Sequence, residues 1–298
     1  MAVNTVTFTM NGQEYTLTYD SASGSYKGTI TAPGTTSWAQ PDHKYKGTVK
    51  ATDTAGNAVT ADADDFPALA LRVLEKVAPV ITPVYPSADA FLSNAAPTIT
   101  WNVTDSGSGV DPDTISIQVD SGAVVTSGIT KVEISGGYQC AYTPSALSDG
   151  AHSVVLNASD NDGNSASQVT LSFTVDTVPP VLDITSPADG LITNNASLQL
   201  AGTTNDANSG VSTVTYAWNG GEAQQATVTG GTITASLTIP REGENTLTIT
   251  ATDQAGKTTT VTRTVTLDTV APVITAVTLA PNPVDAGKTY VITVTVTD

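Results

Sequence analysis

The sequence predicts an all-β chain built from tandem β-sandwich domains. Three observations predict it. The 298 residues are rich in Thr, Val, Ala, Ser and Gly, and Thr and Val suit pleated, half-buried strands. Short runs alternate with period two and end in glycine turns. One proline junction and one turn recur along the chain.

The junctions are Val77-Ala78-Pro79-Val80-Ile81, Val178-Pro179-Pro180-Val181-Leu182 and Val270-Ala271-Pro272-Val273-Ile274. Proline sets its own φ and keeps its predecessor extended, so these read as short, stiff linkers. A tight turn precedes each: Asp53-Thr54-Ala55-Gly56-Asn57, Asp160-Asn161-Asp162-Gly163-Asn164 and Asp253-Gln254-Ala255-Gly256-Lys257. Gly supplies positive φ and Asp bonds its own backbone, as hairpin turns require. Stepping back by twos gives one buried strand face: Val49 and Ala51; Val154, Leu156 and Ala158; Leu247, Ile249 and Ala251.

These repeats predict boundaries. Residues 1–77 form an incomplete domain with strands C to G, 78–177 and 178–269 form whole domains, and 270–298 carry strands A and B. Thr5-Val6-Thr7-Phe8 resembles Thr213-Val214-Thr215-Tyr216, and Ile30-Thr31-Ala32-Pro33 resembles Leu237-Thr238-Ile239-Pro240. Nothing before Thr5 supplies the two strands that precede this point elsewhere. The run Thr293–Asp298 falls where Asp105 and Asp206 fall. Tail and head together make one domain.

About seven strands per 100 residues, with regular turns, predict immunoglobulin-like sandwiches arranged as an elongated rod. The linkers and Asp-X-Ala-Gly turns resemble the bacterial immunoglobulin-like repeat family. The run Ala280-Pro281-Asn282-Pro283-Val284-Asp285-Ala286-Gly287 and a start at Met1 without a leader resemble immunoglobulin-like proteins of tailed bacteriophages and prophages. That resemblance implies spacers, decorations or adhesion stalks, not enzymes.

The formal charge is −17, from 28 acidic and 11 basic residues, which argues against nucleic acid. The single cysteine, Cys140, excludes an intrachain disulfide. Met1–Asp20 reads as no signal peptide. The expected location is a virion or the extracellular space, after synthesis in the bacterial cytoplasm. No apolar run is long enough to enter a membrane.

A domain without its first two strands exposes a groove, and a detached strand pair has nowhere to pack. Strand complementation between copies cures both. The expectation is a non-enzymatic protein that self-assembles head to tail into a fibre. Its axial repeat is about 100–130 Å by strand rise. The predicted interface residues are Val273, Ile274, Val277, Leu279, Tyr290, Ile292, Val294 and Val296 on the donor. On the acceptor they are Val6, Phe8, Met10, Val49 and Ala51. Three other arrangements satisfy the same residues: a chain cut within a domain, a tail folded back on its own first domain, and exchange with a different protein. The alternative function is a cell-surface adhesin stalk or a carbohydrate-binding array, with a bacterial surface glycan as partner.

Acidic residues gather at the junctions. Glu75, Asp105, Asp160 and Asp162 belong to the first, Asp176, Asp206 and Asp253 to the second. Asp268, Asp298 and another chain's Asp53 would make a third. Oxygen ligands of this kind suit Ca²⁺; equally, each Asp caps a turn. No other cofactor and no catalytic residue is assigned. His152, at the position of Tyr45 and Asn245, reads as a loop or corner residue. His43 lies in a polar turn. Cys140 and Trp101 read as core, and Trp38 as a surface anchor or loop residue. Gly56 and Pro79 are farther apart than the matching pairs, so within the irregular stretch Ala61–Ala70 the segment Ala61–Ala68 reads as a loop unique to the first domain.

Overall fold

The computed structural model describes residues 2–298; the predicted start at Met1 lies outside the described residues. Among these residues every regular element longer than a single 3₁₀ turn is a strand. The chain divides into two compact units. One runs to Ala90 and resumes over Ala96–Leu147 and Ala151–Phe173; the other comprises Phe91–Ala95, Ser148–Gly150 and Thr174–Asp298.

The first domain is one sheet. Its strands are β1 (Val3–Met10), β2 (Gln13–Asp20), β3 (Ser25–Lys27), β4 (Tyr45–Asp53), β5 (Ala58–Ala61) and β6 (Ala70–Leu71). Their order is β3-β2-β1-β4-β5, with β6 also on β4. Gly28–Pro33, which aligns with a strand of the third domain, forms none here.

The second domain holds β7 (Val80–Tyr85), β8 (Ala90–Leu92), β9 (Ile99–Thr104), β10 (Val110–Val119) and β11 (Val124–Val125). It continues with β12 (Thr130–Ile134), β13 (Gly137–Tyr142), β14 (Gly150–Asp160) and β15 (Val169–Val175). Two sheets result, β11-β10-β14-β15-β8 and β12-β13-β9-β7. Trp101, Ile99, Val103, Ile115, Ile117 and Leu156 are fully buried.

The third domain repeats the plan. Its strands are β16 (Val181–Ser186), β17 (Leu191–Thr193), β18 (Ser197–Asn205), β19 (Val211–Trp218), β20 (Gln224–Gln225), β21 (Thr227–Thr229), β22 (Thr232–Thr238), β23 (Gly243–Asp253) and β24 (Thr258–Leu267). The sheets are β16-β18-β22-β21 and β17-β24-β23-β19-β20. Leu200 and Ile233 of one meet Val214, Tyr216, Leu247 and Ile249 of the other in a single core. Each such side chain contributes about 1.5–3 kcal/mol when fully buried.

The chain ends in a hairpin, β25 (Val273–Ala280) and β26 (Val291–Thr297), paired only with each other. All of its residues are exposed.

The three turns form as read. The turn glycines have φ of 91°, 90° and 86° at Gly56, Gly163 and Gly256, a region where a Cβ is strained. Each turn Asp accepts backbone N–H groups through Oδ1, from Asn57, Asn164 and Lys257 at 2.9, 2.7 and 2.8 Å. These bonds replace those the backbone loses in reversing.

Candidate functional site

The inner face of the first sheet is open. Val6 faces Ala51, Phe8 faces Val49 and Met10 faces Gly47 across β1 and β4. The same pairs in the third domain are Val214–Ala251, Tyr216–Ile249 and Trp218–Leu247. There the second sheet covers them, and Val214, Ala251, Ile249 and Leu247 are fully buried. In the first domain Val6 and Met10 are buried, whereas Phe8, Val49 and Ala51 are only half-buried.

Two clefts run along this face. One of about 320 Å³ is lined by Phe8, Met10, Ile30, Ala68, Leu69 and Leu71. A second of about 710 Å³ is lined by Phe8, Leu17, Tyr26, Ile30, Val49 and Leu69. Ala68, at the end of the extra loop after β5, and Leu69 beside it line these clefts. Leu17, Tyr26, Ile30 and Leu69 line this face in addition to the predicted residues. The period-two run Tyr26-Gly28-Ile30 was the signal available for it.

The terminal hairpin has a matching face. Ile274 pairs with Val296, Val277 with Val294 and Leu279 with Ile292, and a bulge after Ile274 keeps Val277 on the same side. Six apolar side chains therefore share one face, with Thr residues dominating the other. Val273 departs from the predicted interface: it pairs with Thr297 on the opposite face. That is the position of the exposed Val80 and Val181, because the first residue of this strand faces outward in every copy.

Register identifies the hairpin. Val273↔Thr297 corresponds to Val80↔Thr104 and Val181↔Asn205. Hence Val296, Val294 and Ile292 stand where Val103, Trp101 and Ile99 stand in the second domain. Those three are 0% exposed, whereas the hairpin residues are 51%, 47% and 57% exposed.

The acidic residues form two groups. In one, oxygens of Glu75, Asp105 and Asp160 lie within 4.8 Å of one another; in the other, those of Asp176, Asp206 and Asp253 do. Glu75 also accepts the Ser108 N–H, and a Cβ at Gly107 would overlap its carboxylate. Asp206 Oδ1 takes the N–H groups of Ser209 and Gly210 at 2.9 and 2.7 Å. Asp176 accepts from Ser209 N at 3.0 Å, from Ser209 Oγ and from Val178 N. Burial pushes the Asp176 carboxyl up, but these bonds outweigh it and hold the group below the usual carboxylate range. Asp105 Oδ1 and Asp253 Oδ2 are buried without a hydrogen-bond partner.

Asp162 does not join its predicted group. Its side chain, 1% exposed, lies 3.6 Å from the Arg72 guanidinium. Oδ2 accepts from Thr36 Oγ1 at 2.5 Å and from Glu75 N at 3.1 Å. The Arg72 charge and these donors satisfy it, so it ties Thr36 and Glu75 to the second domain's turn.

His152 is not a loop residue. It is buried in β14, with Nδ1 3.0 Å from Asp120 Oδ2 and its ring beside Phe173. Tyr45 and Asn245, its equivalents, are also buried and hydrogen-bonded, to Thr35 and to the Arg241 and Gly243 carbonyls. The position is a buried polar corner that several side chains can satisfy. Cys140 is fully buried, and burial raises its thiol to about 11. Trp38 is half-buried and stacks on His43, ring centroids 3.9 Å apart.

Comparison with known proteins agrees with this architecture. Residues 86–177 match the bacterial Ig-like domain family, and residues 180–269 match domain B of glucodextranase. No curated protein gives a significant match. Similar solved structures include the fibronectin(III)-like modules of Clostridium thermocellum CbhA, at 16% identity and a TM-score of 0.41, covering 63% of this chain and 94% of that one. Titin domains A168–A170 share 15% identity at a TM-score of 0.43, covering 87% of this chain and 85% of that one. The match over residues 86–177 supports a tandem-repeat protein of the bacterial Ig-like type.

Proposed function

We propose that this chain is a non-enzymatic structural or adhesive protein whose copies join head to tail. Hairpin β25–β26 of one copy completes the first domain of the next, as a donated strand pair. One observation carries the reading. The hairpin presents Ile274, Val277, Leu279, Ile292, Val294 and Val296 on one exposed face, and the β26 residues among them occupy positions that are fully buried in the second domain. The first domain offers an open face lined by Phe8, Val49 and Ile30.

The third domain supplies the register. Leu198, Leu200 and Gly202 of β18 face Leu237, Ala235 and Ile233 of β22. Transferred by the repeat, this sets Tyr290 opposite Ile30, Ile292 opposite Gly28 and Val294 opposite Tyr26 of the next copy. Gly28 leaves room for Ile292, as Ala235 does for Leu200. Such a contact is heterologous and grows an open filament unless its rotation closes a ring. The setting that suits it is the exterior of a virion or of a bacterial cell.

Sedimentation velocity across micromolar concentrations, with negative-stain imaging, tests the reading. A concentration-dependent series of end-to-end species, or filaments, is expected. A strictly monomeric species over that range overturns it.

A further inference from the structure

Just ahead of β26 the chain carries a side chain that neither complete domain has at that place. Tyr290 stands before Ile292 as Leu198 stands before Leu200 and Ile99 before Trp101, in matching register. The complete domains therefore use an aliphatic residue there. Ile99 is 0% exposed, and Leu198 packs against both clusters of the third domain's core. Tyr290 is larger than either and 50% exposed.

The first domain is smaller at the positions around the same place. Met10 pairs with Gly47 where Trp218 pairs with Leu247. Ala32 stands where Ile239 stands in the aligned runs Ile30–Pro33 and Leu237–Pro240. Leu247 and Ile239 are buried, and Trp218 packs against the clusters that hold them. Met for Trp, Gly for Leu and Ala for Ile all remove volume from one region. A Cβ at Gly47 would stand 2.5 Å from Phe8 Cε2 and 3.1 Å from the Leu69 carbonyl oxygen. The Phe8 ring and the extra loop thus take up part of the space. The rest is the cleft of about 320 Å³, with Met10, Ile30, Ala32 and Leu69 in its lining. In the proposed register Tyr290 lies over Ile30, as Leu198 lies over Leu237. Protein interiors are close-packed, so a hole on one side calls for bulk on the other. The acceptor is reduced where the donor is enlarged.

We propose that Tyr290 is the anchor of the joint, and that the cleft beside Ile30, Ala32 and Leu69 of the next copy is its pocket. This rests on the strand-exchange reading. Size matching at this one place then selects the partner. A tail carrying Tyr290 fits the first domain of another copy. It does not fit the third domain, where Trp218, Leu247 and Ile239 fill the space a tyrosine ring needs. An aromatic side chain in a desolvated pocket is also where interface energy concentrates.

The test follows assembly of the full chain by sedimentation velocity. Tyr290→Leu leaves a hole in the joint, and Ala32→Ile fills the pocket. Each alone should raise the critical concentration roughly tenfold or more. Both residues are exposed in the free chain, so melting of the unassembled variants should match wild type. Tyr290→Leu and Ala32→Ile together restore the pairing of sizes found at Leu198 and Ile239. Every copy is both donor and acceptor, so the double variant should recover assembly to within about threefold of wild type. A critical concentration unchanged in either single variant, or losses that simply add in the double variant, overturns the anchor proposal while the strand exchange stands. Absence of assembly in the wild-type chain overturns the strand exchange and the pocket with it.

Discussion

Val294 occupies in β26 the position that Trp101 occupies in β9, yet Trp101 is 0% exposed and Val294 is 47% exposed. The two strands share pairing, register and alternation. They differ in what covers them. In the second domain a second sheet closes over Trp101. The hairpin has no second sheet.

Val294→Asp is therefore a sharp test of the joint. A carboxylate at the centre of the buried face loses the apolar contribution of Val, about 1.5–3 kcal/mol, and adds a desolvation cost. Assembly should weaken by roughly tenfold or more, read as a shift in critical concentration. Melting of the second and third domains should not change, because the hairpin touches neither core.

Paired cysteines test the register. Tyr26→Cys in one copy and Val294→Cys in another are directly opposed in the proposed alignment, within disulfide reach. Oxidation of a mixture of the two single variants should give a crosslinked dimer on a denaturing gel. Lys27→Cys with Val294→Cys, one residue out of register, should crosslink far less, because the side chains leave opposite faces of the sheet.

The native thiol should not interfere. Burial pushes Cys140 to about 11, so almost no thiolate exists at pH 8. Alkylation at that pH, followed by mass spectrometry, should be negligible in the folded protein and complete in denaturant.

The acid limb of stability should carry a contribution from Asp120. Burial pushes its carboxyl up, but the Ser153 N–H and the hydrogen bond and charge of His152 outweigh that, and the folded value lies below the ordinary 3.8. A lowered carboxylate pKa contributes stability above the unfolded value. That stability is lost as pH falls from 3.8 through the folded value. Wild-type melting temperature should therefore drop faster than that of Asp120→Asn as the pH falls below 4.

Much of the site was legible in the sequence, and specific residues show why. The turn Asp residues, the proline junctions and the alternating Leu247-Ile249-Ala251 are local signals, so their strands and turns could be read directly. Asp176, Asp206 and Asp253 were legible as a group because each sits at a fixed place in a repeat. Asp162 was not, because its fate depended on Arg72 and Thr36, distant in sequence. Val273 was misplaced because a period-two run does not state which face is inner. His152 read as a corner, while burial of its ring depended on Phe173 and Asp120.

The amino-acid order by itself determined the strands, the turns, the repeat and the equivalence of β25–β26 with β7–β9 and β16–β18. Those follow from alternation, glycine and proline, which act over a few residues. Only the tertiary structure decided which faces are covered, which carboxylate oxygens are left without donors, and that Phe8 and Val49 lie half-open beside Ile30. Burial and hydrogen-bond satisfaction are sums over residues from several strands, and no local pattern contains them.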